Sequence, residues 1–549
     1  MDKEKEIKEL SSLLHIEKSK LEKMDRRYFL QASSKVAALA VGLTIANSLF
    51  GNSTQAAEPE FKSYPFTLGV ASGDPLPDGV VLWTRLAPDP LNGGGMKAHD
   101  VPVRWEVSAD EGFRQIVKHG VEFARHQLGH SVHVEVEGLD PNSIYYYRFK
   151  VGSDMSPVGR TKTLPAFNTD VSRMTFAFAS CQNWQTGYYT AFKHMAQEDL
   201  DLVIHLGDYI YEGGISNDGV RPHNSDEIRT LEDYRNRYAL YKSDTNLQAA
   251  HAAFPWVVTM DDHEVDNNFA GLIPSTYEPV EQFIKRRADA YQAYYEHMPL
   301  RRSSLPDGEG MQLYRRLAVG HLVDFHVLDT RQYRDDQANG DGRDEPNAES
   351  MDPNRSITGD EQERWILDGL SQSKTRWHVL AQQVFFAERD FKDGEGEEVS
   401  MDAWDGYSAN RERILNFIKD NGISNFVVLT GDVHNSWANE IKSDFKDQNS
   451  ANLGVEFVGT SISSGGDGSD INNTTPVILA ENPHIKFFNN YRGYVRCTVT
   501  PETWTTDYRV VPYVRRPDAP IATRATFIVE NGKNELKKIY DVPLTVTSQ

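Results

Sequence analysis

Three short motifs in this 549-residue chain carry residue types that hold cations or move protons. Gly207-Asp208-x-x-Tyr211 offers a carboxylate whose two oxygens can bridge two cations, and a phenol that can swing onto one of the same ions once deprotonated. Gly431-Asp432-x-His434 sets a carboxylate and an imidazole two residues apart, which on extended backbone puts them on one face. Asp261-Asp262-His263-Glu264 adds carboxylates beside a His that can act as an acid or point at a bound anion. Each motif has a plainer reading. An Asp after a strand often caps a helix, a Tyr packs in a core, and a strand-end His is simply hydrogen-bonded. Their common placement decides the matter, because each closes a hydrophobic run.

Six such runs must position the chemistry. Phe176–Ala179 leads into Ser180-Cys181, Leu202–Leu206 into Gly207-Asp208, and Trp256–Thr259 into Asp261-Asp262-His263. Val323–Leu328 leads into Asp329-Thr330-Arg331, His378–Ala381 into Gln382-Gln383, and Phe426–Thr430 into Gly431-Asp432. Short runs rich in Val, Ile and Phe predict buried strands, and layered α/β folds bind ligands outside the carboxyl ends of their strands. Thiol, phenol, carboxylates, amide and imidazole would then share one rim, a mixture suited to a multi-metal hydrolytic site.

The net charge of −22 argues against nucleic acid as the primary partner and is compatible with carboxylates that bind cations. Residues 1–56 carry nine Lys/Arg against seven Asp/Glu, so the acidity lies in the body of the chain. Near the start, Asp25-Arg26-Arg27-Tyr28-Phe29-Leu30 precedes an uncharged stretch that ends in Thr54-Gln55-Ala56-Ala57. This segment, 1–57, resembles a cleaved twin-arginine export signal. Asn47, Asn52, Ser53 and Gln55 interrupt its apolar run, short of the ~20 residues that a membrane span needs. A secreted or cell-wall-associated protein handled by the twin-arginine translocation machinery is the expectation. In such a protein the two cysteines, Cys181 and Cys497, would pair by default. Cys181 instead sits among candidate ligands, and Cys497 lies on an alternating strand as a packed residue.

Residues 60–165 alternate at period two between turn signals such as Asp140-Pro141-Asn142, which predicts a small β-sandwich. Leu139 to Phe149 resembles a fibronectin-type corner. Residues 170–515 hold the clusters, with helices expected over Leu231 to Phe254, over Pro279 to Met298, and from a capping box at Thr358-Gly359-Asp360-Glu361. Residues 516–549 form a C-terminal tail too short to be a domain.

The ordered blocks resemble the calcineurin-like metallophosphoesterases, whose pattern runs Asp, Gly-Asp-x-x-Tyr, Gly-Asn-His-Glu, Val-Leu-x-His, Gly-His-x-His. Here Cys181 replaces the first Asp, Asp262 the Asn, Gln382 the third-strand His, and Asp432 the first His of the last block. With Ser-Cys-Gln, Gly-Asp-Tyr-Ile-Tyr, Asp-Asp-His-Glu, Leu-Asp-Thr-Arg-Gln-Tyr-Arg and Gly-Asp-Val-His, the chain is similar over nearly its whole length to the alkaline phosphatase D (PhoD) family. That resemblance implies an α/β fold, with a layered α/β/β/α catalytic domain after a fibronectin-like sandwich. It implies a secreted phosphatase and phosphodiesterase that uses Fe(3+) and Ca(2+). Carried over by position, Cys181, Asp208, Tyr211 and His434 would hold iron. Asp208 would bridge to calcium, with Asp262 and Asp432 as further ligands, and Gln382 or its neighbour Gln383 would be another. Oxygen in place of nitrogen suits Ca(2+), and thiolate with phenolate suits iron. A metal-activated hydroxide would attack phosphorus in line. His263 would serve as acid or hydrogen-bond donor, and Arg331 would pair with the phosphate or act as a structural ion-pair partner. The expected substrates are small phosphate esters or cell-wall and lipid phosphodiesters, bound by a monomer. A phospholipase or teichoic-acid phosphodiesterase is the alternative enzyme, and a calcium-binding adhesion module the alternative outside catalysis.

Overall fold

A computed structural model describes residues 61, 63–275, 277–308 and 310–544. The expected export signal, with Arg26 and Arg27, lies outside the described residues. All six hydrophobic runs form strands: Met174–Ala179, Leu202–His205, Pro255–Val258, Val323–Val327, Trp377–Ala381 and Phe426–Thr430. Every residue in them is buried. Both faces of each strand are covered, so the runs are largely apolar on both faces, Asp324, His326 and His378 being among the buried exceptions.

The first three strands are parallel neighbours at the centre of a ten-stranded sheet, and the last three are parallel neighbours in a seven-stranded sheet. The registers end level, with Ala179 opposite His205 opposite Val258, and Val327 opposite Ala381 opposite Leu429. The period of two then sorts the side chains into layers. Phe176, Phe178, Ile204 and Val257 meet Phe325, Val379, Val427 and Leu429 between the sheets. The alternate residues Ala177, Val203, Trp256 and Val258 pack outward on the helices Leu231–Lys242, Thr245–Ala253 and Val280–His297. Leu328, Leu380 and Val428 pack on the helices Gly359–Gln372 and Ser408–Asp420. The expected α/β/β/α layering is therefore present.

The sandwich also forms, with a difference. A five-stranded sheet built on Val101–Ser108 and Ile144–Val151 packs over Val70–Leu76, Gly79–Arg85 and Ser131–Glu137 through Val103, Val107, Tyr147, Val80, Leu82 and Val134. Those last three strands are not a free sheet. Ser72 and Gly73 pair in parallel with Pro255 and Trp256, so this layer of the sandwich continues the central ten-stranded sheet. Gly73 permits the junction, since a Cβ there would lie 2.5 Å from the Pro299 carbonyl oxygen and 2.7 Å from that of Trp256. The opposite end of the sheet is similar. The expected C-terminal tail contributes the strands Ala522–Glu530 and Lys537–Asp541, which extend the sheet beyond Thr503–Val511.

Two helix details depart from expectation. The stretch from Leu231 to Phe254 is two helices, broken where the Asp244 carboxylate accepts from the backbone N–H groups of Asn246 and Leu247 and starts the second. The helix after Thr358 forms, but Thr358 donates its hydroxyl to Asn410 and makes no side-chain cap. The capping box is instead at Thr230 and Asp233. Among the described residues no helix is long and apolar enough to cross a membrane.

Candidate metal centre

The loops that leave the level strand ends are stitched to one another. Cys181 N–H donates to the Gly207 carbonyl at 3.1 Å, and Gln182 N–H to that of Asp208 at 3.0 Å. Gly207 has φ +109°, and a Cβ on it would stand 2.4 Å from Cβ of Asp261, so this turn needs glycine. Glu264, fully buried, accepts from Asp208 N–H and Asp261 N–H through one oxygen and from Tyr209 N–H through the other. The Glu of Asp-Asp-His-Glu thus clamps two loops together.

Four candidate ligands pay for this closeness with backbone strain: Cys181, Asp208, Asp432 and His434 have φ of 58°, 55°, 63° and 57°. The left-handed region costs a non-glycine residue on the order of 1–3 kcal/mol and persists where the surroundings over-determine it.

Two groups of possible ligand atoms result, each within 4.8 Å: Cys181, Asp208 and His434, and Asp208, Asp262 and His263. Asp208 belongs to both. Tyr211 donates to Asp208 Oδ2 at 2.8 Å, lies 3.1 Å from His434 Nε2, and accepts from Ser464 Oγ at 2.7 Å. Its ring lies with its centre 4.1 Å from that of His263, tilted by 33°, and His263 Nδ1 lies 2.7 Å from Glu212. Asp262 is held by the N–H groups of His263 and Asn268. Asp432 lies near Asp262, each under 4 Å from Arg331 Nη2.

Arg331 is the first departure, from the expected pairing with a phosphate, and takes its alternative role. It is 1% exposed, donates to Asp261 through Nε at 2.6 Å, and grips Asp402 with both terminal nitrogens at 2.7 and 3.0 Å. It presents no free arm to a phosphate and acts as the structural ion-pair partner. Gln382 is the second. Its amide N–H groups donate to the Val384 carbonyl and Thr430 Oγ1, and its oxygen accepts from Trp404. Gln383 is likewise spent on Thr259, Thr330 and the Leu328 carbonyl. Both glutamines brace loops and leave the cluster to the other residues. Sequence reasoning missed Glu212, Asp261, Ser464 and Arg492, which donates to the His434 carbonyl. Glu212 adjoins a recognised motif and Asp261 lies within one without being singled out as a site residue, but nothing in their neighbourhood marks what they face. The two cysteines are free and buried, with Cys497 in the core between the sheets.

The electrostatics describe a site crowded with negative charge. Burial, then Asp262, pushes Asp208 up to about 7. Burial and neighbouring carboxylates raise Asp261 and Asp432 well above the usual range. Burial and Asp208 lift the Cys181 thiol and the Tyr211 phenol, and burial with Arg492 holds His434 down to about 3. Burial would lift Asp262 too, but Arg331 and His263 hold it below the carboxylate range. His263 runs the other way, because Glu212, Asp262 and Asp208 outweigh its burial and raise it. Asp208 Oδ1 and Asp261 Oδ2 are buried and have no hydrogen-bond partner among the described residues. Unpartnered buried carboxylate oxygens beside thiol, phenol and imidazole fit cations, which would turn the crowding from cost into attraction.

Two family models match the chain, that of the PhoD-like phosphatase over residues 176–508 and that of the PhoD-like phosphatase N-terminal domain over residues 52–165. The chain belongs to the PhoD-like phosphatase family. Alkaline phosphatase D of Bacillus subtilis (strain 168) is 61% identical over 520 residues, covering 94% of this chain and 89% of the relative. A solved structure of PhoD, also 61% identical, superposes with a TM-score of 0.88 and covers 89% of this chain and 94% of its own. As a PhoD-like phosphatase the chain is a hydrolase of phosphoric ester bonds, which removes the adhesion-module reading.

Proposed function

We propose that this phosphatase is exported and depends on two kinds of cation, with iron on the side of Cys181, Tyr211 and His434 and calcium on the side of Asp262 and Asp432. One observation carries the reading: Asp208 belongs to both groups and keeps a buried oxygen without a partner. Bound there, the cations would polarise the phosphoryl oxygens and supply a nucleophile at neutral pH. The chain's own residues do the rest. Glu212 fixes the His263 ring through Nδ1 and, with Asp208 and Asp262, favours its protonated form. Nε2 is left to donate to the leaving oxygen. Arg331 holds Asp261 and Asp402 in place behind the site. Small phosphate monoesters and diesters are the proposed substrates, with cell-wall or lipid phosphodiesters as the larger class, for a monomer in which nucleic acid plays no primary part.

The test is chelation. A strong calcium chelator in excess is expected to abolish release of p-nitrophenol from both p-nitrophenyl phosphate and its bis ester, and calcium to restore it. Activity that survives, or returns with zinc but not calcium, would sink the assignment.

His263→Ala is expected to lower kcat by roughly 10²–10⁴-fold, the span of a lost general acid. Elemental analysis should find its metal content close to that of the parent protein. Loss of metal in step with activity would make His263 a ligand.

Export is proposed to run through Arg26 and Arg27. Replacing both by Lys keeps the charge and removes the pair, so precursor should accumulate in cells. Normal secretion of the double variant would refute this reading.

A further inference from the structure

Val433 and Asn435 alternate with the candidate ligands Asp432 and His434, and they line an adjoining cavity of about 250 Å³. Arg343, Arg389, Phe391 and Trp437 line it too. The Arg343 guanidinium carbon lies 3.6 Å from the centre of the Phe391 ring. That of Arg389 lies 4.6 Å from the same ring and 4.0 Å from Phe385. Two cations therefore share one aromatic ring, an arrangement in which each repels the other.

Among the described residues neither guanidinium is hydrogen-bonded or ion-paired to a carboxylate or carbonyl; Asp405, the charge that acts most strongly on Arg389, accepts from its backbone N–H and is ion-paired with Arg411. Arg389 is 6% exposed, and its Nε is buried without a hydrogen bond. Other buried arginines are held: Arg286, Arg331 and Arg411 pair with carboxylates, and Arg85, Arg237 and Arg492 donate to backbone carbonyls. A buried cation without a partner is costly, and guanidinium cannot escape by losing its proton under ordinary conditions. Burial, opposed by Asp405 and reinforced by Arg343, lowers Arg389 only to about 10. The planar fork matches phosphate geometry. Asp432 lies within electrostatic range of Arg389, so the cavity and the candidate metal centre sense each other.

We propose that Arg343 and Arg389 form a second anion subsite beside the candidate metal centre, and that it holds a neighbouring phosphate of a substrate bearing two or more phosphate groups. The proposal rests on the phosphoesterase reading for the group that is cleaved, but the subsite itself can be tested without turnover.

Two chromogenic diesters with the same leaving group separate these cases: p-nitrophenyl propyl phosphate, and p-nitrophenyl 3-phosphopropyl phosphate. The unaltered enzyme is expected to favour the second by about tenfold or more in kcat/KM, the worth of one modest charge-assisted contact. Arg343→Gln and Arg389→Gln should each reduce that preference, and the double variant should bring the ratio near one. A ratio is insensitive to the fraction of protein that folds. The second readout is calorimetric titration with propane-1,3-diyl bisphosphate and with inorganic phosphate. The exposed Arg343→Gln should weaken the bisphosphate about tenfold, and more than it weakens phosphate. A preference kept by the double variant, no preference in the unaltered enzyme, or equal weakening of both ligands would overturn the proposal. If the unaltered enzyme cleaves neither ester, the phosphoesterase reading of this centre fails, and the titration still decides the subsite.

Discussion

Asp208→Asn is expected to reduce turnover by on the order of 10³-fold or more, about 4 kcal/mol of transition-state stabilisation. Asp208 is common to both groups of candidate ligands, so one atom change should empty both sides. Asn is among the few residues at ease in the left-handed backbone that Asp208 adopts at φ 55°, and the fold should survive. With the cations stripped, the variant should be the more stable protein, because one of several crowded buried carboxylates is gone. Tyr211→Phe is the companion experiment. It removes the one oxygen that touches Asp208, His434 and Ser464, so it should cost iron and any visible charge-transfer band while leaving calcium. Elemental analysis and the absorption spectrum check both variants. Iron and calcium retained by Asp208→Asn would show that the two groups do not share a bridge.

Arg331→Met is expected to destabilise the protein by roughly 3–5 kcal/mol, the cost of breaking a buried ion pair from one side. Asp261 and Asp402 would be left buried without their principal cation, and Arg334 and Gln337 reach only Asp402. Denaturant or thermal unfolding measures this. A phosphate-binding arginine would behave differently, since its loss would raise KM and leave stability alone. Unchanged stability with a large rise in KM would restore the role that the sequence suggested.

The contrast between Arg331 and Asp208 shows where the sequence is legible. A parallel strand buried on both faces is largely apolar, and a polar cluster at its end stands out against it. Hence the six strands and the cluster Cys181, Asp208, Tyr211, Asp262, His263, Asp432 and His434 could be found from the chain alone. Chain spacing, however, carries no partner. Gln382 and Gln383 occupy a strand end as plausibly as His434 does, yet their amides are consumed by Trp404, Thr430, Thr259 and Thr330, residues far away in the chain. Glu212 follows Tyr211 directly, but only the fold turns it toward His263. The sandwich was visible in its alternation at period two. Its continuity with the central sheet was not, because the pairing of Ser72 with Pro255 is long-range and leaves no local mark. The break at Asp244 was missed because the apolar spacing continues through it, and a lone Asp signals a helix start only if the preceding turn has already ended.

The ten-stranded sheet has a consequence for how the molecule is made. Strand Met174–Ala179, which leads into Cys181, is covered on one edge by Arg492–Val499, and that strand in turn by Thr503–Val511 and Ala522–Glu530. A growing chain therefore carries an open, apolar strand edge from early in its synthesis until nearly all of it has emerged. Such an edge invites pairing with other chains, and a closure this distant along the sequence is slow. A product cut short near its end would lose one flank of its central layer, rather than a dispensable appendage. The assembly order thus makes the last strands a check on completeness, since the layer that holds Cys181 is finished only when the whole chain is present.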